Sequence, residues 1–252
     1  MLFITGDTHS DFERRFNTTN FPEQKNMCKD DFVLICGDFG GIWNYKCESK
    51  EEKYWLDWFE ERSYTLLFID GNHENFDRLY NYPEKEWHGG KVHVIRPHVL
   101  HLMRGQIFEI EGKTIFTFGG AKSHDIQGGI LERDDPNYDL KKKRLSRDCI
   151  PYRVNHLSWW KEEIASTEEM EEGCYNLSKH DNEVDYIVTH CCSTSTQNML
   201  AKSYYGADQQ TDYLDKIKHN TKFRKWFFGH YHDDGDVSEN ETLVYEKMIK
   251  VF

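Results

Sequence analysis

Five short polar blocks punctuate the 252-residue chain, and each begins where a run of apolar, aromatic or β-branched residues stops. They are Asp7-Thr8-His9, Gly37-Asp38-Phe39-Gly40-Gly41, Gly71-Asn72-His73-Glu74, Thr189-His190 and Gly229-His230-Tyr231-His232. Short apolar runs of this kind read as strands buried on both faces, so every block falls where a strand gives way to a loop. The ends of adjacent strands lie side by side, and groups remote in sequence can meet there.

The rest of the pattern supports such a fold. Leu2–Thr5, Phe32–Cys36 and Leu66–Asp70 read as buried strands, and Ser49–Arg62 between the last two reads as a helix. Strand, loop, helix and strand in succession argue for parallel units. Val92–Ile95, Gln106–Ile110 and Thr114–Phe118 are strand-like, with Glu111-Gly112 as a tight hairpin turn, so an antiparallel section follows. Residues 119–156 read as a surface insertion, part loop and part exposed helix, carrying the basic run Lys141–Arg144. A helix is expected over Leu157–Glu172 with Trp159 and Trp160 on its buried side, followed by a polar loop over Gly173–Asn182. Strands resume at Val184–Thr189 and Lys222–Phe228 around a helix at Asp208–Asn220, and Thr242–Glu246 with Met248–Phe252 reads as a closing hairpin. The whole, residues 1–252, reads as one domain without internal repeats.

Composition narrows the class of partner. The formal charge is −12, which disfavours an extended nucleic-acid or anionic-membrane footprint. No apolar run approaches the ~18 residues of a membrane span. The seven cysteines form no CxxC and no disulfide framework, so reduced thiols in a cytoplasmic protein are expected, with Cys191 and Cys192 in packing roles. Asp7 and His9 at the first strand end leave no room for a cleavable leader before Leu2.

Carboxylate, amide and imidazole are the donors that hold hard and borderline divalent cations. Two cations ~3.5–4 Å apart can clamp a phosphate and activate water, and so close a pair needs a shared anionic ligand. Asp38, flanked by Gly37 and Gly40-Gly41, suits that role. In their order the blocks resemble the calcineurin-like metallophosphoesterase family, with its DxH, GDxxG, GNHE, (T/G)H and GHxH motifs. The resemblance runs from Leu2 to His232 and implies an α/β fold, a four-layer α/β/β/α sandwich of two mixed sheets flanked by helices. It implies that Asp7, His9, Asp38 and His232 hold one divalent ion and that Asp38, Asn72, His190 and His230 hold a second. Manganese stands foremost, and iron, zinc, cobalt or nickel suit the same donors. His73 would be the catalytic residue, protonating the leaving group or holding the substrate phosphate beside Asn72. The implied reaction is in-line attack of a metal-bridging hydroxide on the phosphorus of a phosphoester.

Departures from better-known branches refine this. Gly41-Ile42 stands where the protein phosphatases carry Asp-Arg, removing a bidentate phosphate grip. The tyrosine that ligates ferric iron in the purple acid phosphatases is also missing at Gly41. A phosphodiesterase or nuclease is therefore an alternative to a monoesterase, and a non-catalytic docking scaffold of the same fold is a further one. In Gly119–Asp125, which resembles the Gly-Gly segment bordering the site in bacterial and phage relatives, His124 is a candidate substrate contact. Arg133, Arg147 and Arg153 are candidate phosphate contacts. Glu74 reads as a helix N-terminal residue favoured by the macrodipole, and Gly6 and Gly71 as points of backbone freedom.

Overall fold

A computed structural model describes residues 1–200 and 205–252. In chain order its elements begin with β1 (Leu2–Thr5), α1 (Phe12–Phe16), β2 (Phe32–Ile35), α2 (Lys50–Glu60), β3 (Thr65–Phe68) and α3 (Phe76–Leu79). Next come β4 (Glu84–Trp87), β5 (Gly90–Arg96), β6 (Val99–Leu102), β7 (Gln106–Ile110) and β8 (Lys113–Phe118). The middle of the chain holds β9 (Ile130–Leu131), α4 (Tyr138–Arg147), β10 (Arg153–Val154) and α5 (Thr167–Lys179). The last part holds β11 (Tyr186–Thr189), α6 (Thr194–Met199), α7 (Gln209–Asn220), β12 (Lys225–Phe228), β13 (Gly235–Ser238), β14 (Glu241–Leu243) and β15 (Ile249–Lys250).

The strands form two mixed sheets. One has the order β15-β1-β2-β3-β6-β5-β4 and the other β13-β14-β12-β11-β8-β7. Alternation along each strand sorts its side chains into layers. Leu2, Ile4, Phe32 and Leu34 of the first sheet meet Phe108, Ile115, Val188 and Phe227 of the second in a common core. The intervening Phe3, Val33 and Ile35 face outward onto Phe12, Phe16, Leu56 and Phe59 of the helices. Likewise Phe116, Ile187, Trp226 and Phe228 turn outward onto Met170, Leu177, Leu214 and Ile217. The result is the α/β/β/α arrangement that the resemblance implies. Phe59 is fully buried at the helix–sheet contact, and truncating such a ring costs about 3–5 kcal/mol.

Local signals explain most boundaries. Ser49 and Glu52 form a reciprocal capping box at the start of α2, and Asp208 caps α7. Glu111 and Gly112, at φ of +51° and +70°, make the two-residue turn between β7 and β8. Two expectations fail. The helix placed over Leu157–Glu172 begins only at Thr167, behind a capping box of Ser166 and Glu169, and continues to Lys179, into the stretch read as a polar loop. Trp160 lies in extended backbone, buried against the first sheet's outer layer. The closing hairpin is also absent: β14 pairs with β12 and β13, whereas β15 crosses to pair with β1 in the other sheet. In the middle segment, β9, β10 and α4 gather around Leu131, Leu145 and Val154, with Lys141–Arg144 exposed.

Candidate metal centre

The parallel strands β1, β2 and β3 deliver Asp7 and His9, Asp38, and Asn72 and His73 from their C-terminal ends. From the second sheet, the parallel pair β11 and β12 delivers His190, His230 and His232. With the sheets face to face, the two sets converge. The backbone is strained there: His9, Asp38, His230 and His232 have φ of +42°, +48°, +69° and +50°. Left-handed backbone at non-glycine residues costs about 1–3 kcal/mol each and clusters at functional sites.

Close approach dictates the glycine of the third block. A Cβ on Gly71 would lie 2.0 Å from Asp38 Oδ1. Its φ is not left-handed, so Gly71, like Gly6 beside the Val244 carbonyl, is required for room rather than for the backbone freedom expected of it.

Two groups of donors share Asp38. In the first, one ligand atom from each of Asp7, His9, Asp38 and His232 lies within 4.8 Å of all the others. Here His232 Nε2 is 3.1 Å from Asp7 Oδ2, and His9 Nε2 is 3.5 Å from Asp38 Oδ2. In the second, His190 Nε2 is 3.5 Å from Asp38 Oδ1 and 3.3 Å from Asn72 Oδ1. His190 Nδ1 points the other way, 2.7 Å from the Cys36 carbonyl, which fixes the ring's orientation. His230 lies beside this second group, with ring centroids 5.0 Å from His190. Its backbone N–H donates to both oxygens of Asp7, at 3.0 and 3.1 Å.

The electrostatics match a cation site. Burial alone would push the Asp38 carboxyl up, but the surrounding His190, His73 and His9 hold it well below the usual range. Burial opposes charging of His190, yet Asp38 and Asp7 raise it to about 9. Burial, together with His190 and His124, drives His230 well down. The hydrogen bond to Asp7 raises His232. Nitrogen and oxygen donors in two groups around a shared carboxylate fit a pair of divalent ions.

The other sequence candidates separate. His73 is half-buried beside the first group, its ring 5.2 Å from His9, and burial lowers its pKa. Arg153 reaches it: one guanidinium nitrogen lies 3.2 Å from His73 Nε2, while the fork also grips Asp125 at 2.7 and 2.8 Å. His124 sits with its Nε2 2.7 Å from His230 Nε2 and is packed edge-on against Tyr205. Arg133 lies over the Tyr45 ring and exposed Arg147 pairs with its neighbour Asp148, so neither contacts the cluster. Trp159 is half-buried, and Cys191 and Cys192 are packed in the second sheet's outer core. Glu74 is not a dipole partner. The cap of α3 is Asn75, whereas the fully buried Glu74 accepts the Phe39 N–H at 2.8 Å and braces the loop that carries Asp38. Burial and the nearby Asp38 push its carboxyl well up.

Three neighbours of the cluster are not singled out in the sequence, although Ser123 lies in the Gly119–Asp125 segment. Tyr245 stacks on His232 with centroids 4.7 Å apart. Ser123 and Glu163 are buried behind Asn72. A hydroxyl and one acid among many are unremarked until the fold brings them to a ligand.

A family model described as calcineurin-like phosphoesterase matches residues 2–234. Lariat debranching enzyme A of Xenopus laevis is 27% identical over 173 residues, covering 64% of this chain and 31% of its own length. The lariat debranching enzyme of Caenorhabditis elegans is 30% identical over 171 residues, covering 62% and 32%. The human lariat debranching enzyme is 21% identical over 91% of this chain and 41% of its own length. The chain thus spans less than half the length of these relatives. Among solved structures, the phosphopantetheinyl hydrolase PptH of Mycobacterium tuberculosis aligns with 97% of this chain and 87% of its own, at 13% identity and a TM-score of 0.47.

Proposed function

The chain belongs to the calcineurin-like phosphoesterase family, and from that premise we propose that it is a phosphoester hydrolase using two divalent cations. Asp7, His9, Asp38 and His232 hold the first, and Asp38, Asn72, His190 and His230 the second. The observation that carries this is the placement of Asp38, whose Oδ2 faces His9 and whose Oδ1 faces His190, each at 3.5 Å. We propose manganese as the native ion; the imidazole, amide and carboxylate donors accept it, as they accept iron, zinc, cobalt or nickel. Such ions polarise phosphoryl oxygens and make water nucleophilic near neutral pH.

The protein's own groups then bind and orient the ester. Arg153 has only N–H groups to offer, so the contact with His73 makes His73 Nε2 an acceptor. In that state His73 has no proton to give from Nε2. We therefore assign Arg153 to holding the phosphoryl oxygens, in the place of the absent Asp-Arg grip, and His73, which accepts from it, to orienting the guanidinium. His124 braces His230 rather than meeting substrate.

A diester is the favoured substrate class. A cavity of about 270 Å³ is lined by Ser10 and Gly40, neighbours in sequence of His9 and Asp38, with Trp43, Glu51, Glu52 and Trp55, and offers a place for a second, uncharged ester group. The debranching enzymes among the relatives point the same way. We also propose one domain in which residues 119–156 are an insertion that supplies Arg153 to the site. A cytoplasmic setting accords with the seven free cysteines. Among the described residues no helix is long and apolar enough to cross a membrane.

The test pairs cation binding with turnover. Calorimetry with Mn²⁺ should show two sites, and bis-p-nitrophenyl phosphate should be cleaved faster than p-nitrophenyl phosphate. Asp38→Asn should abolish turnover and weaken both binding steps. Undiminished turnover by that variant would refute the reading; a preference for the monoester would refute the diesterase assignment alone.

A further inference from the structure

The Asn72 side chain presents two chemically different ends, and only the oxygen can ligate a cation. Which end faces the cluster is decided behind it. Asn72 Nδ2 donates to Ser123 Oγ at 3.3 Å, Ser123 Oγ donates to Glu163 Oε2 at 2.6 Å, and the Ser123 N–H donates to Glu163 Oε1 at 3.0 Å. Asn72, Ser123 and Glu163 are 5%, 2% and 2% exposed, so water does not compete for these bonds.

The polarity of the chain follows from its last member. Both Glu163 oxygens are taken by Ser123, Oε1 by its N–H and Oε2 by its hydroxyl, so the one hydroxyl proton of Ser123 is committed to Glu163. The Ser123 oxygen is left with lone pairs alone to offer, and these take the NH₂ end of Asn72. The carbonyl end is thereby turned toward His190 Nε2, 3.3 Å away, and toward the second cation site. Partners behind a metal ligand commonly contribute 10–100-fold to affinity.

We infer that Ser123 and Glu163 are positioning residues that hold the Asn72 amide with its oxygen toward the second cation. This rests on the proposed two-cation site. Neither residue belongs to the five blocks. Ser123 lies in the glycine-rich stretch after β8, and Glu163 in the short 3₁₀ turn Lys161–Glu163 ahead of α5. A segment outside the signature thus completes it.

The test is Mn²⁺ titration followed by calorimetry and by electron paramagnetic resonance, which distinguishes a spin-coupled pair from an isolated ion. Ser123→Ala should weaken the second binding step about 10–100-fold more than the first and replace the coupled spectrum with that of a single ion at intermediate Mn²⁺. Glu163→Gln, of the same size, should act in the same direction, because its NH₂ can donate to Ser123 Oγ and reverse the chain. Asn72→Asp supplies the rescue control: a carboxylate has two equivalent oxygens, so adding Ser123→Ala to it should change the second step by less than about threefold. That restored insensitivity also separates misorientation from misfolding. Two unperturbed binding steps in Ser123→Ala would overturn the inference and leave the two-cation reading intact. Equal losses from Ser123→Ala with and without the Asn72→Asp change would also overturn it. A wild-type protein that binds fewer than two Mn²⁺ would overturn the site assignment itself.

Discussion

The Nε2 atoms of His9 and His232 lie 3.0 Å apart, although 223 positions separate the two residues in the chain. Two imidazole nitrogens this close either share a proton or direct their lone pairs at one cation, and Asp7 and Asp38 stand on the same centre. Removing one imidazole leaves that centre short of a donor. His232→Ala should weaken the first Mn²⁺ binding step by more than about 100-fold, beyond what partners behind a ligand contribute. Calorimetry reads the step directly, and unchanged affinity would show that His232 is not a ligand.

Gly71→Ala tests the contact between the second and third blocks. The added methyl would lie 2.0 Å from Asp38 Oδ1 and 2.4 Å from the Asp38 amide nitrogen. Backbone, not a flexible tip, must move, and overpacking of this kind costs about 1–3 kcal/mol. The expected outcome is a lower urea midpoint with two weakened cation sites, since Asp38 serves both. A variant with wild-type midpoint and stoichiometry would contradict the packing described.

Arg153 is tethered to Asp125 on one side and touches His73 on the other. If it grips the phosphoryl group, Arg153→Ala should raise KM about tenfold or more, the loss of a charge-assisted pair, with a smaller change in kcat. Arg153→Lys keeps the charge without the fork and should recover only part of the loss. Steady-state kinetics with bis-p-nitrophenyl phosphate separates the two parameters; an unchanged KM would remove Arg153 from the substrate.

A second buried polar cluster sets a pH dependence of stability. His93 Nδ1 lies 2.9 Å from His101 Nδ1, His101 Nε2 lies 3.1 Å from Asp70 Oδ1, and Arg104 donates to Asp70 Oδ2 at 2.6 and 2.9 Å. Burial, with His101 adjacent, lowers the His93 pKa from 6.5 to about 4. The depressed value means that the unfolded chain takes up the proton first. The stabilisation from neutral His93 is complete above pH 6.5 and is lost as pH falls toward 4, a change of about 3 kcal/mol. Urea unfolding of cation-free protein at pH 7, 6, 5 and 4.5 should show this slope, and His93→Asn should flatten it. Parallel profiles for the two proteins would refute the assignment.

The parts of this molecule that read most clearly in sequence are those governed by local rules. Leu2–Thr5 and Phe32–Ile35 alternate between two buried layers, and their apolar run admits no other placement. The five blocks are legible because each holds its donors within a few residues of a strand end. Where pairing is chosen at long range, the sequence is silent. The stretches at Thr242 and Ile249 look like the arms of one hairpin, yet they join different sheets. Glu84–Trp87 reads as polar because it is an exposed edge strand whose charges guard against further pairing. At Trp159-Trp160 the apolar pair suggested a helix face, although the capping box of Ser166 and Glu169 marked the true start. Ser123 and Glu163 were invisible for the same long-range reason: forty residues separate them, and each acquires meaning only from the other and from Asn72.

The donors are divided between two sheets packed face to face through a layer of side chains. Asp7, His9, Asp38 and Asn72 ride on one, while His190, His230 and His232 ride on the other. Cross-sheet bonds at the site, from His190 to the Cys36 carbonyl and from the His230 amide to Asp7, are among the stitches between them. Cation affinity is therefore a gauge of docking rather than of secondary structure. A partly unfolded form with both sheets intact but undocked would have no site, and chelation should loosen this seam before either half melts.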